Sequence, residues 1–89
     1  MNQLIIAAFP EAALNIIVAD AEDNEIARSL AFEPDMIPAM VELLENYGAF
    51  DMCTLYGPQS YIEGIKDKIE KEFDTAEIAE ISLVSPGKE

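Results

Sequence analysis

Histidine and tryptophan are absent from this sequence, and cysteine occurs only once, as Cys53. A single cysteine rules out an intrachain disulfide and a thiolate metal cluster. Without histidine the chain lacks the commonest general base and the commonest transition-metal ligand. Positive charge is also scarce, with 5 Lys and Arg against 18 Asp and Glu, a formal net charge of −13. Residues 1–65 hold 11 acids and only Arg28, while the last 24 hold 7 acids and 4 lysines. Such a field repels phosphate backbones, whose protein affinity comes mainly from Lys and Arg displacing counterions. It also disfavours anionic membrane surfaces. Direct nucleic-acid binding and membrane attachment are therefore not expected, whereas a basic protein would be drawn in. Long hydrophobic runs are missing too. The opening Met1 to Pro10 has no basic flank and only six apolar residues in a row, which predicts neither a secretory signal nor a membrane span. A reducing, cytoplasmic setting is the expectation.

What is present is an apolar half: 51% of the 89 residues are hydrophobic, too many for a disordered chain. A chain of this length buries roughly 60–65% of its unfolded surface, a modest core. The reading is one α/β domain over residues 1–84 and a tail at 85–89. Leu4 to Phe9, closed by Pro10, is a short continuous apolar run, as in a strand buried on both faces. Leu14 to Asp20 repeats it with β-branched residues at its centre. Polar turn formers follow, then a third strand from Glu25 to Phe32, the pair joined by a hairpin with Asp23-Asn24 at its tip. In that strand Ile26, Leu30 and Phe32 share one face, interrupted by Arg28, and Ala27, Ser29 and Ala31 share the other.

Pro34-Asp35 opens the first helix. Pro38 falls in its first turn, Met36, Ile37, Met40, Leu43, Leu44 and Tyr47 form its apolar stripe, and Gly48 stops it. Phe50 to Gly57 reads as a fourth strand, broken by Gly57-Pro58. Ser60 and Glu63 have the spacing of a capping box at the start of a second helix. Its buried stripe is Ile62, Ile65, Ile69 and Phe73, and Lys66/Glu70, Asp67/Lys71 and Lys68/Glu72 are candidate pairs on its outer face. Gly64 inside that helix suggests close approach to the sheet. Glu77 to Val84 reads as a fifth strand. The order is βββαβαβ, an α/β (α+β) chain. Two hairpins followed by two right-handed crossovers give a mixed five-stranded sheet of order 3-2-1-4-5 with two helices.

In this order of elements, over nearly its whole length, the chain resembles the minimal ribonuclease H-like fold. The resemblance is one of topology and rests on no shared motif. It implies a ligand site at the C-terminal ends of the first and fourth strands, where nucleolytic members hold two metals with clustered carboxylates. It also implies an Asp in the first strand and an acid at the end of the fourth. Here those places read Leu4-Ile5-Ile6-Ala7-Ala8-Phe9 and Tyr56-Gly57-Pro58. Asp51 lies at the wrong end of its strand, ~17 Å away at strand rise. Glu11 is nearby, but a single carboxylate cannot hold two metals. The resemblance thus comes without catalytic carboxylates, and no catalytic residue, metal site or cofactor is expected.

Two groups of residues remain as candidates. Asp20, Glu22, Asp23 and Glu25 crowd one hairpin. They lack the glycine and distal glutamate of a calcium loop, so they read as a solvated turn, a partner-binding acidic patch or, least of all, a metal site. Tyr56, Gly57, Gln59, Ser60 and Tyr61 frame a helix start whose free N–H groups could take a small ligand or nucleotide, although helix capping would use the same donors. Cys53, mid-strand with no histidine to activate it, reads as a buried, inert thiol. The sheet carries the main expectation. Leu4-Ile5-Ile6 and Ile16-Ile17-Val18 put apolar side chains on both faces, and two helices can cover only one. An uncovered apolar face marks an association site. The expected function is therefore a non-catalytic, acidic protein-interaction module, such as a regulator or inhibitor occupying a basic surface. The alternatives are a small-ligand or nucleotide-binding domain and a structural subunit of a homo-oligomer. A homodimer or stable protein complex is expected, through the open sheet face or an edge strand.

Overall fold

The computed structural model describes residues 1–85, so residues 86–89 of the tail lie outside the described residues. Five strands form one sheet in the order β3-β2-β1-β4-β5. They are β1 (Asn2–Ala7), β2 (Leu14–Ala19), β3 (Glu25–Ala31), β4 (Phe50–Tyr56) and β5 (Ile81–Val84), with helices α1 (Met36–Tyr47) and α2 (Gln59–Glu72). The β1–β2 and β2–β3 pairs are antiparallel, and β1–β4 and β4–β5 are parallel. This is the mixed α+β sheet that the order of elements predicts.

Register explains which residues are buried. Leu4 pairs with Val18 and Cys53, and Ile6 with Ile16 and Leu55, so alternate residues of three central strands point to one side. All six are fully buried, and they meet Met36, Met40 and Leu43 of α1 and Ile62, Ile65 and Ile69 of α2 in one cluster. Both helices therefore lie on the same face, α1 against β3 and α2 against β4 and β5. On β3 the small residues Ala27, Ser29 and Ala31 face this layer and leave room for α1. Its large residues are turned away: Ile26 is 44% exposed and Leu30 64%.

Several local expectations are corrected. β1 runs two residues earlier than the apolar run, because Asn2 and Gln3 pair with Phe50 and Met52 on β4. A 3-10 turn at Glu33–Asp35 precedes α1, which ends at Gly48 with φ 83°. The Ser60–Glu63 capping box does not form. α2 starts at Gln59 with Pro58 at its N-cap, so Ser60 lies inside the first turn, and Glu63 takes a hydrogen bond from the Gln59 side chain at 2.7 Å. That pattern arises instead at Asp74 and Glu77, where each carboxylate accepts the other's backbone N–H, at 3.2 and 3.1 Å. The resulting turn shortens β5, leaving a lone bridge between Ile78 and Phe50 ahead of it. On α2, Lys66 and Glu70 sit 4.0 Å apart as spaced, whereas Lys68 reaches Glu33 across the layer.

Gly64 is also corrected. It is exposed, and a Cβ there would meet nothing within 4 Å. Gly57 is the residue held by close approach, since a Cβ would lie 2.0 Å from the Ala8 carbonyl oxygen. Replacing Gly64 with Ala is expected to stabilise the protein by about 1 kcal/mol, through helix propensity alone. Replacing Gly57 with Ala should destabilise it by about 1–3 kcal/mol through overpacking. Urea unfolding midpoints of the two variants test this opposite pair of signs.

Candidate functional site: the hairpin, the β4–α2 loop and the open sheet face

The acidic hairpin is built around one carboxylate. Asp20 Oδ1 accepts the backbone N–H groups of Glu22 and Asn24, both at 2.9 Å, and Oδ2 accepts the Asn24 side chain at 3.3 Å. The Asp20 N–H donates to the Asn24 carbonyl, closing the turn. Asp23 takes a left-handed conformation, φ 67°, which a short polar side chain tolerates. Its carboxylate receives the Gln3 amide at 2.7 Å. Glu25 holds Arg28 in a two-pronged ion pair, at 2.8 and 3.0 Å. Three of the four acids thus have partners within the chain. The Asn24 N–H, assisted by that of Glu22, holds the Asp20 carboxyl below its ordinary value, and the Arg28 hydrogen bond does the same for Glu25. The chemistry is that of a turn organised by side-chain acceptors.

The β4–α2 loop divides between two surfaces. Tyr56 ends β4 on the face away from the helices, 40% exposed. Tyr61 is half-buried on α2 and packs against the core. Between them Gly57 is buried, donating its N–H to the Val84 carbonyl at 3.1 Å, while Ala8 donates to the Tyr56 carbonyl at 2.8 Å. Backbone packing thus fills the place where β1 and β4 end side by side. Gln59 is engaged with Glu63, and Ser60 is exposed. Five shallow surface depressions of about 240–520 Å³ are lined by residues outside this loop. Among the described residues no group of three or more His, Cys, Asp or Glu is placed to hold a metal ion. Cys53 is fully buried, and burial pushes its thiol up to about 12. A thiol in that state is a poor nucleophile.

The outer face of the sheet has no helix over it. Its residues follow from register: Gln3, Ile5 and Ala7 on β1; Asn15 and Ile17 on β2; Arg28 and Leu30 on β3; Met52, Thr54 and Tyr56 on β4; Ser82 and Val84 on β5. Ile5 and Ile17 lie opposite each other at its centre, half-buried by their neighbours. Leu30, Tyr56 and Val84 are 64%, 40% and 38% exposed around them. The face is less uniformly apolar than its strands suggest, because Gln3, Asn15, Thr54 and Ser82 alternate with the aliphatic groups. Register also places Ala19 and Glu25 here, beside Gln3, so one carboxylate stands at the hairpin end of the face. That carboxylate is paired with Arg28 on the same face. Just beyond this face, Phe32 is 62% exposed beside a depression of about 520 Å³ shared with Leu30, Asp35 and Pro38. The split on β3, with large residues at 26 and 30 and small ones at 27, 29 and 31, marks the same face in the sequence.

No protein-family model matches the chain, and no curated protein matches its sequence. The site must be judged on its own geometry.

Asp20 and Glu25 are shifted below their ordinary values, so they contribute stability that is present above those values and lost as pH falls through the folded ones. Urea midpoints measured from neutral pH down through the carboxylate range should therefore fall on acidification. The fall should be shallower in Asp20→Asn, which has no charge there to lose. Amide exchange at Glu22 and Asn24 should speed up in Asp20→Ala.

Proposed function

We propose that this chain is a non-catalytic protein-interaction module whose contact surface is the open face of its sheet. One observation carries the reading: a five-stranded face with Ile5 and Ile17 at its centre and Leu30, Tyr56 and Val84 exposed around them has no covering layer among the described residues. Interface centres are depleted in charge and more apolar than the rim, and the centre of this face, Ile5 beside Ile17, is uncharged and aliphatic. The acids of the hairpin, Asp20, Glu22, Asp23 and Glu25, lie at its edge, where a polar rim belongs and where a basic partner would be met. A non-catalytic role is supported by the lack of a carboxylate at Ala8, Gly57 or Pro58, beside the ends of β1 and β4. It is also supported by the buried Cys53 thiol. The net charge of −13 supports a protein partner over a nucleic acid or an anionic membrane. No helix among the described residues is long and apolar enough to cross a membrane.

The test compares the tagged chain with a Leu30→Lys/Tyr56→Lys variant in extracts of its native host, by size-exclusion chromatography. Both side chains are exposed, so a circular dichroism melt should show an unchanged fold. The wild-type chain is expected to elute in a complex and the variant as a free monomer. Identical elution of the two would rule out the open face as the contact surface.

A further inference from the structure

Resting on the interaction reading above, we infer that the occupant of the open sheet face is a second copy of this chain, packed sheet against sheet. The first argument is charge. Acids occupy the exposed helix positions Glu42, Glu45, Glu63 and Asp67 and the connections at both ends of the strands, while the open face has carboxylates at its hairpin end, where Glu25 pairs with Arg28 and Asp23 accepts from Gln3. Two bodies of −13 each repel over most mutual orientations. With the open faces together they meet across Ile5, Ile17 and Leu30, and the carboxylates stay at the hairpin end.

The second argument is area. Five strands at ~4.8 Å spacing and about six residues at ~3.3 Å rise give a footprint of roughly 480 Å² per copy, or about 1,000 Å² for the pair. That meets the lower bound of about 1,000 Å² for a specific interface. A basic heterologous partner would gain little on this face, because the Glu25 carboxylate there is already neutralised by Arg28. Aligned sheets pack about 10 Å apart, a spacing at which Ile5, Ile17 and Leu30 of the two copies interdigitate. The remaining charge stays outside the contact and opposes it at long range. Association should therefore tighten as salt screens that repulsion, opposite in sign to the binding of a cationic partner.

Sedimentation of the purified full chain from about 10 mM to about 0.15 M salt tests this, since the screening length falls there from about 30 Å to about 8 Å. The expected result is a dimer whose dissociation constant drops by about tenfold or more across that range. Leu30→Lys/Tyr56→Lys should abolish it, although the substitution lowers the net negative charge. Val41→Lys, at an exposed position on α1, should leave it intact. A monomer at every concentration and salt, a dimer that weakens with salt, or one that survives the double substitution would each overturn the inference. A monomeric purified chain whose complex in host extract still depends on Leu30 and Tyr56 would overturn the second copy and leave the interaction module standing. Loss of both dependences removes the two together.

Discussion

Both helices lie on one side of the sheet, and the rest of the structure follows from that. α1 and α2 seal Leu4, Ile6, Leu14, Ile16, Val18, Cys53 and Leu55 from water, and these residues join Ala8, Phe50, Ile78 and the buried helix stripes in one connected core among the described residues. Because strand side chains alternate, each buried residue has a neighbour committed to the other face. Ile5 and Ile17 are such neighbours. No element among the described residues shelters them except the side chains around them, so what surrounds them decides whether the protein stands alone.

Charge is distributed to match. The helical side and the strand ends carry the carboxylates, where their like charge repels other copies in most orientations. The open face is close to neutral, with Arg28 and Glu25 cancelling at its edge. An antiparallel sheet face meant for water alone usually carries a polar residue at each outward position. Here aliphatic and small polar residues alternate, a composition closer to the centre of an interface than to a solvated surface. The acidic hairpin is a structural feature first, because its turn needs the Asp20 carboxylate as an acceptor for two backbone N–H groups.

The order of the elements was legible because apolar runs and helical stripes are set by which side chains are buried. Strand limits were not, since pairing partners do not show in hydropathy. Asn2 and Gln3 are polar yet lie in β1 because β4 offers them a ladder. The start of β5 was hidden by the reciprocal Asp74–Glu77 bonds, a capping pattern that competes with strand extension. The two glycines show the same limit. Gly64 has open space beside it, and Gly57 lies against the Ala8 carbonyl, a contact between segments far apart in sequence. At the β4–α2 loop, sequence spacing put Tyr56 and Tyr61 on either side of one helix start, whereas strand alternation sends Tyr56 to the outer face and the helix turns Tyr61 toward the core.

Tyr47 and Tyr56 offer a direct test, since they are 38% and 40% exposed and lie in the helical layer and on the open sheet face respectively. Hydroxyl-radical footprinting across a dilution series should oxidise them equally at low concentration. As concentration rises at moderate salt, protection should build at Tyr56 and at Met52 on the same face of β4 while Tyr47 stays constant. Equal labelling of both tyrosines at every concentration would contradict the account, as would protection confined to Tyr47.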